Sequence, residues 1–249
     1  MIDIIKLTVA LMVISMVAGL AIGVANSKTK DKIAAQAQEA QKSALEAVFP
    51  EKVTIAEKKG KGDLPAKYWT ASNEKGFVGY AFEVSSRGYA GDIKYMVGVN
   101  PNGDILGMTV LEQSETPGLG SRVQEVASSK YIWNPMAKSE KVKPWFTEQF
   151  EGLSSLKPIQ IEKSLGEWHK IDNSGREQLK QRNAVSAITG STISTRAVTR
   201  GIEEKVSVYL NKLAKKSTVS AVSGASVSSK PVSQDHEQIA DTNVIKGEN

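Results

Sequence analysis

The residues of this chain best suited to chemistry are Thr189-Gly190-Ser191-Thr192. The apolar run Ala184-Val185-Ser186-Ala187-Ile188 precedes them, and Ile193-Ser194-Thr195-Arg196-Ala197-Val198 follows with helical character. A turn of two glycine-flanking hydroxyls and a third between a strand and a helix aims backbone N–H groups, hydroxyls and a helix N-terminus at one point. That arrangement suits a phosphate group. The same residues also suit a plain helix cap, a role in which Ser and Thr are favoured. Arg196 and Arg200 lie on one face of the first two turns, where the helix dipole disfavours cations by roughly 0.3–1 kcal/mol each. An anion at the helix start would turn that cost into attraction, and Glu203 and Glu204 are the alternative source of neutralisation.

A second turn, Glu115-Thr116-Pro117-Gly118-Leu119-Gly120, has a similar pair of readings. Gly118 and Gly120 supply positive φ for a tight start to a helix, or they let backbone approach a planar ligand, with Glu115 and Thr116 as hydrogen-bonding groups.

Composition removes most other chemistry. The chain has 249 residues and no cysteine, which excludes disulfides, thiolate catalysis and Cys-ligated metal clusters. His169 and His236 are its two imidazoles, so neither a metal site nor a Ser-His-Asp triad is expected. The net charge is +5, with basic residues scattered among acidic ones. No basic stripe interleaved with aromatics exists, and nucleic acid is not an expected partner.

The elements that must position these turns follow a long apolar segment. Leu7 to Ser27 carries no formal charge, about the ~20 residues that a helix needs to cross a membrane. An uncleaved anchor is expected over 1–27; a cleaved signal and a buried core helix are the rivals. Lys6 against Asp3 before the span, and Lys28, Lys30 and Lys32 against Asp31 after it, weakly favour a cytoplasmic body. Over 28–50, Ile33, Ala37, Ala40, Ala44 and Val48 recur at helical spacing before Pro50, as a stalk or as a helix packed on the domain.

From 51 to 216 we expect one α+β domain, an antiparallel sheet with packed helices. Val53–Ala56, Tyr68–Ser72, Phe77–Val84, Lys94–Val99 and Asp104–Leu111 read as strands, with Asn102-Gly103 as a hairpin signal. Ser121-Arg122-Val123-Gln124 resembles a capping box opening a helix to about Ser129. Trp133, Trp145, Phe146 and Phe150 are expected to cover the core, with stacking on a flavin or partner as the lesser reading. Pro158–Glu162 reads as a further strand. Val198, Ile202, Val206 and Leu210 predict a helix from about Ser194 to Ala214. Residues 217–249 read as a disordered tail.

Together, in this order, the two turns resemble the FMN-binding domain of the RnfG subunit of the Rnf electron-transport complex, with the NqrC subunit of the sodium-pumping NADH:quinone reductase (Nqr) as a close relative. The resemblance covers about Gln41 to Leu213 and includes the single N-terminal anchor. It implies FMN joined through its phosphate to the hydroxyl of Thr192 by a separate flavin transferase. It also implies that Thr189, Gly190, Ser191, Ser194, Thr195 and Arg196 surround the phosphate, and that Glu115, Thr116, Gly118, Leu119 and Gly120 border the ring. The implied role is an electron carrier that binds neither NAD nor ferredoxin, in a membrane complex coupling their oxidoreduction to ion transport. The implied location is the inner membrane, single-pass, with the domain on the periplasmic side.

Two positions depart from the family pattern. Ser186 stands where the family usually has Asp, and Ser191 where Ala is commoner. If that Asp guides the transferase, attachment here would be slower. Two other readings remain from the residues themselves: an anchored, non-redox module holding a phosphate-bearing ligand at the same turn, and an anchored hydrolase using Thr192 or a Ser as nucleophile. The second lacks a nearby base.

Overall fold

The computed structural model describes residues 2–60, 62, 64–126 and 143–214. The expected end of a helix at Ser129, the Trp133 region and the tail from 217 onward lie outside these residues. The chain divides into two units, Met1–Lys212 and Leu213–Asn249, and the described part of the second is Leu213 and Ala214.

Helix α1 runs unbroken from Ile2 to Ala47. Its N-terminal half is long and apolar enough to cross a membrane, and none of that stretch is buried within the protein. The other end is different. Ala44, Leu45, Val48 and Phe49 pack with Trp69, Ala71, Ala81 and Met96 in one apolar cluster. Val48 settles over Gly98 and Gly107, which pair across neighbouring strands. A Cβ on either glycine would come within 2.7 Å of the Val48 carbonyl oxygen. Two paired glycines thus cut a notch in the sheet that receives the helix end.

The sheet is an antiparallel meander of β1 (Thr54–Lys59), β2 (Lys67–Asn73), β3 (Gly76–Arg87), β4 (Asp92–Val99) and β5 (Ile105–Gln113). Alternation explains its two faces. Ala81, Met96 and Gly98 turn toward α1, whereas Phe82, Tyr95 and Val97 are buried on the other side. The hairpin predicted at Asn102-Gly103 forms between β4 and β5, although the loop is longer than a two-residue turn. Asn100 Oδ1 accepts from the N–H groups of Asn102 and Asp104, each at 2.9 Å, and closes it.

Past the sheet come α2 (Trp145–Glu148), β6 (Gln160–Glu162), α3 (Asn173–Gln181) and β7 (Ala184–Ser186), with β6 and β7 forming a parallel pair. Trp145, Phe146 and Phe150 are fully buried, as expected of core covers. Helix α4 (Thr192–Gly201) then crosses the sheet face that carries Tyr95. The Tyr95 hydroxyl donates to the Val198 carbonyl and shares a hydrogen bond with Ser86. Gly201 lies so close above that pair that a Cβ would stand 1.9 Å from Ser86 Oγ.

Two helical expectations change in detail. The segment after Ser121 is one 3-10 turn, Gly120–Gln124, and Glu125 is extended. No capping box forms, because Ser121 Oγ accepts from the Gly118 N–H instead. The last helix starts at Thr192 and passes through a π turn at Ile202–Val206. Val198, Ile202, Val206 and Leu210 are buried as their spacing predicts.

Candidate functional site

Three loops meet at a cavity of about 440 Å³. Glu115, Thr116, Leu119 and Gly120 come from the first glycine turn, and Gly190, Ser191, Thr192 and Ile193 from the second. Tyr89 comes from the turn between β3 and β4. The two glycine turns, far apart in sequence, form one wall. Gly190 has φ +77°, which favours glycine, and a Cβ there would lie 3.1 Å from Leu119 Cδ2.

Glu115 is the buried centre of this arrangement. Its Oε1 accepts from the N–H groups of Ala90 and Gly91 at 3.1 and 3.3 Å. Its Oε2 accepts from the Ser194 hydroxyl at 2.6 Å. One carboxylate therefore ties the Tyr89 turn, the first glycine turn and α4 together. Gly120 has no side chain for a related reason: its Cβ would stand 2.1 Å from Glu115 Oε2 and 2.6 Å from Ser194 Oγ. Gly118 differs, with φ +76° and open space around it. The first turn thus uses one glycine for conformation and the other for close approach.

The start of α4 is braced without a side-chain cap. Ser191 stands at the N-cap position and makes no capping bond to the helix. Its hydroxyl instead shares a 2.8 Å hydrogen bond with Ser194. Thr195 is buried, accepting from the Ile188 N–H and donating to the Ser191 carbonyl, each at 3.2 Å. The N–H groups of Thr192, Ile193 and Ser194 open the helix and have no acceptor within it. Thr192 is half-buried on the cavity wall.

The remaining candidate residues are placed less directly. Thr189 and Gly118 are exposed at the edge of their turns, and Arg196 is exposed on α4; none of the three lines the cavity. Ser194 and Thr195 lie beneath it. Ser186, the departure from the family pattern, is completely buried. Its hydroxyl donates to the Gly166 carbonyl, and its N–H donates to Gln149 Oε1 at 2.7 Å.

Sequence reasoning missed Tyr89 and Ile193. Both are large, apolar in the main and exposed, at 69% and 51%. The available signal for the first was an aromatic between two turn glycines, Gly88 and Gly91.

A charged cluster secures the far end of the first turn. Arg122 pairs with the buried Glu167 and, at 2.7 Å, with Glu125, while Lys170 reaches Glu167 at 2.9 Å. The Arg122 hydrogen bond, opposed by burial and aided by Lys170, holds the Glu167 carboxyl down at about 2.

Comparison with known proteins agrees with this geometry. The family described as an FMN-binding domain matches residues 88–207, and the RnfG N-terminal region matches residues 1–48. The RnfG subunit of the Na(+)-translocating ferredoxin:NAD(+) oxidoreductase complex of Acetobacterium woodii is 30% identical over 54% of this chain and 50% of that one. The match thus spans half the length of that relative. Its counterpart in the ion-translocating oxidoreductase complex of Haemophilus influenzae strain PittEE is 29% identical over 75% of this chain and 80% of its own. Among solved structures, NqrC of Shewanella oneidensis aligns with TM-score 0.43 and 19% identity, over 68% of this chain and 72% of that one.

Proposed function

The chain belongs to the RnfG family of ion-translocating oxidoreductase subunits, and on that premise we propose that it carries FMN covalently at Thr192. In this reading it is an electron-carrying subunit of a membrane complex that couples ferredoxin and NAD oxidoreduction to ion transport. Residues 1–27 of α1 anchor it, 28–50 carry it clear of the membrane, 51–216 hold the flavin on the extracytoplasmic side, and 217–249 form a tail. Its partners are the other subunits and a flavin transferase.

The observation that carries the reading is the uncapped start of α4 opening on an apolar-walled cavity. A flavin mononucleotide has a matching division. Its phosphate suits unpaired N–H groups and the positive end of a helix, and its flat ring suits walls such as Leu119 and Ile193. Attachment forms a bond from Thr192 Oγ1 to the flavin's phosphorus as that phosphorus loses the leaving group of an activated flavin donor. The hydroxyl proton passes to a base of the transferase. The N–H groups of Thr192 to Ser194 stabilise the phosphate charge before and after attachment.

When bound, the flavin supplies the reversible uptake of electrons. The chain contributes position. Glu115 and Ser194 fix the two glycine turns against each other, Thr192 fixes the phosphate, and Leu119 and Ile193 exclude water from part of the ring.

The test is a full-length chain produced with a flavin transferase, denatured and inspected for in-gel flavin fluorescence, with mass analysis of the peptide containing Thr192. A phosphoester on Thr192 that Thr192→Ala abolishes is the expected result. Fluorescence retained in Thr192→Ala assigns the linkage to another residue. A colourless wild-type chain overturns the reading and favours a non-redox module holding another phosphate-bearing ligand.

A further inference from the structure

Tyr89 presents an aromatic ring that the fold leaves largely unburied. It is 69% exposed and is the single aromatic among the described residues that line the cavity. Exposed aromatics on flexible loops have little meaning, but this loop is tightly held. Gly88 N–H donates to the Gly91 carbonyl at 2.8 Å, and both Ala90 and Gly91 donate to the buried Glu115. A Cβ on Gly88 would stand 2.2 Å from Glu115 Oε1. The turn therefore sits directly on the carboxylate that also receives Ser194 from α4.

The surroundings point the same way. Leu119 and Ile193 are also large, exposed and apolar, and both line this cavity with Tyr89. Each comes from a different loop. Exposed apolar groups converging on one concavity mark a place where an apolar surface is to be covered. Aliphatic walls and one aromatic suit a flat, conjugated partner, which gains offset stacking beyond simple area burial.

We propose that Tyr89 is a third wall of the ligand site and stacks on the flat ring of the flavin, with Glu115 as the positioning residue that holds the Tyr89 turn in place. This rests on the functional reading above, since it takes the flavin at Thr192 as the ring's source. The phosphate end is fixed by α4 and the ring end by the turn between β3 and β4. Two separate parts of the fold thereby determine where the ring lies.

The experiment uses the full-length flavin-bearing chain in detergent. A phenol in van der Waals contact with an excited flavin returns it to the ground state by rapid electron exchange, so stacking suppresses native fluorescence. Tyr89→Leu is expected to raise native flavin fluorescence several-fold while flavin released by denaturation stays equal to wild type. Tyr89→Trp, which keeps an electron-rich ring, is expected to keep the emission low. Tyr89 is exposed, so neither change should disturb folding; circular dichroism checks this. Equal native fluorescence in wild type and Tyr89→Leu, at equal flavin content, overturns the stacking alone. A wild-type chain without flavin overturns the functional reading and this one with it.

Discussion

The hydroxyl of Ser194, in the first turn of α4, donates a 2.6 Å hydrogen bond to Oε2 of Glu115, which opens the first glycine turn. The bond joins chain segments that share no strand or helix, and it is buried. A hydrogen bond to an ionised acceptor contributes about 1.5–3 kcal/mol, more than either glycine turn could supply by its own local preference.

Removing that acceptor should loosen all three loops at once. Glu115→Ala leaves the Ser194 hydroxyl and the Ala90 and Gly91 N–H groups without their partner. We expect a loss of at least about 2 kcal/mol in urea unfolding, given ~1–3 kcal/mol for each unsatisfied buried group and partial relaxation. Glu115→Gln keeps one acceptor oxygen for the two N–H groups and should lose less than Glu115→Ala. Equal losses in the two variants would show that shape, not hydrogen bonding, is what the site needs.

The two glycines of the first turn should respond differently to the same methyl group. Gly120→Ala places a Cβ 2.1 Å from Glu115 Oε2, and overpacking of this kind costs about 1–3 kcal/mol. Gly118→Ala meets nothing, so its effect is limited to the positive φ, on the order of 1 kcal/mol. Thermal melts of the two variants should rank Gly120→Ala below Gly118→Ala, and the reverse order would mean that the Glu115 contact yields freely.

Restoring the family's commoner residue at Ser186 should harm this protein. The side chain is fully buried and donates to the Gly166 carbonyl. Ser186→Asp replaces a donor with a carboxylate facing a carbonyl oxygen, a loss of about 1–3 kcal/mol or more for an unpaired buried acceptor. Chemical denaturation reads it directly. An unchanged or higher midpoint would mean that the Gly166 loop rearranges to supply a donor.

What the sequence revealed and what it hid divide along one physical line. Period-two alternation located all five strands of the meander, and the i+4 spacing of Val198, Ile202, Val206 and Leu210 located the buried face of the last helix. Such patterns are local and repeat. The π turn at Ile202–Val206 left no trace in that spacing, because the buried positions recur as they would in an ordinary helix. The capping-box pattern at Ser121 misleads because its hydroxyl accepts from Gly118, before the helix, rather than from within it. The role of Glu115 was invisible for a stronger reason: its partners at Ala90, Gly91 and Ser194 are neighbours through the fold alone. Both glycine turns were legible as candidate sites, while Tyr89, the residue that faces them, was not.

Acid should act on the cluster that secures the first turn. Arg122 first, then Lys170, hold the Glu167 carboxyl at about 2 against the opposing effect of burial, compared with about 4.3 in an unfolded chain. A lowered folded value means that the stabilisation is fully present above about 4.3 and is lost as pH falls toward 2. The urea midpoint of wild type should therefore exceed that of Glu167→Gln near neutral pH, and the gap should close between about pH 4.3 and 2. A gap constant across that window would remove Glu167 as the source of the acid sensitivity.

The continuity of α1 has a consequence for reach. Lys28 to Ser43 run from the end of the uncharged stretch to the residues locked in the Gly98–Gly107 notch, with no break in the helix. At 1.5 Å per residue this arm is about 24 Å long, and it is a mast rather than a tether. Height above the membrane and compass bearing are then coupled through helical geometry. One residue inserted into the arm would raise the cavity by ~1.5 Å but swing it about 100° around the mast, away from any fixed neighbour. Four residues would raise it ~6 Å and return it to within about 40° of its original bearing.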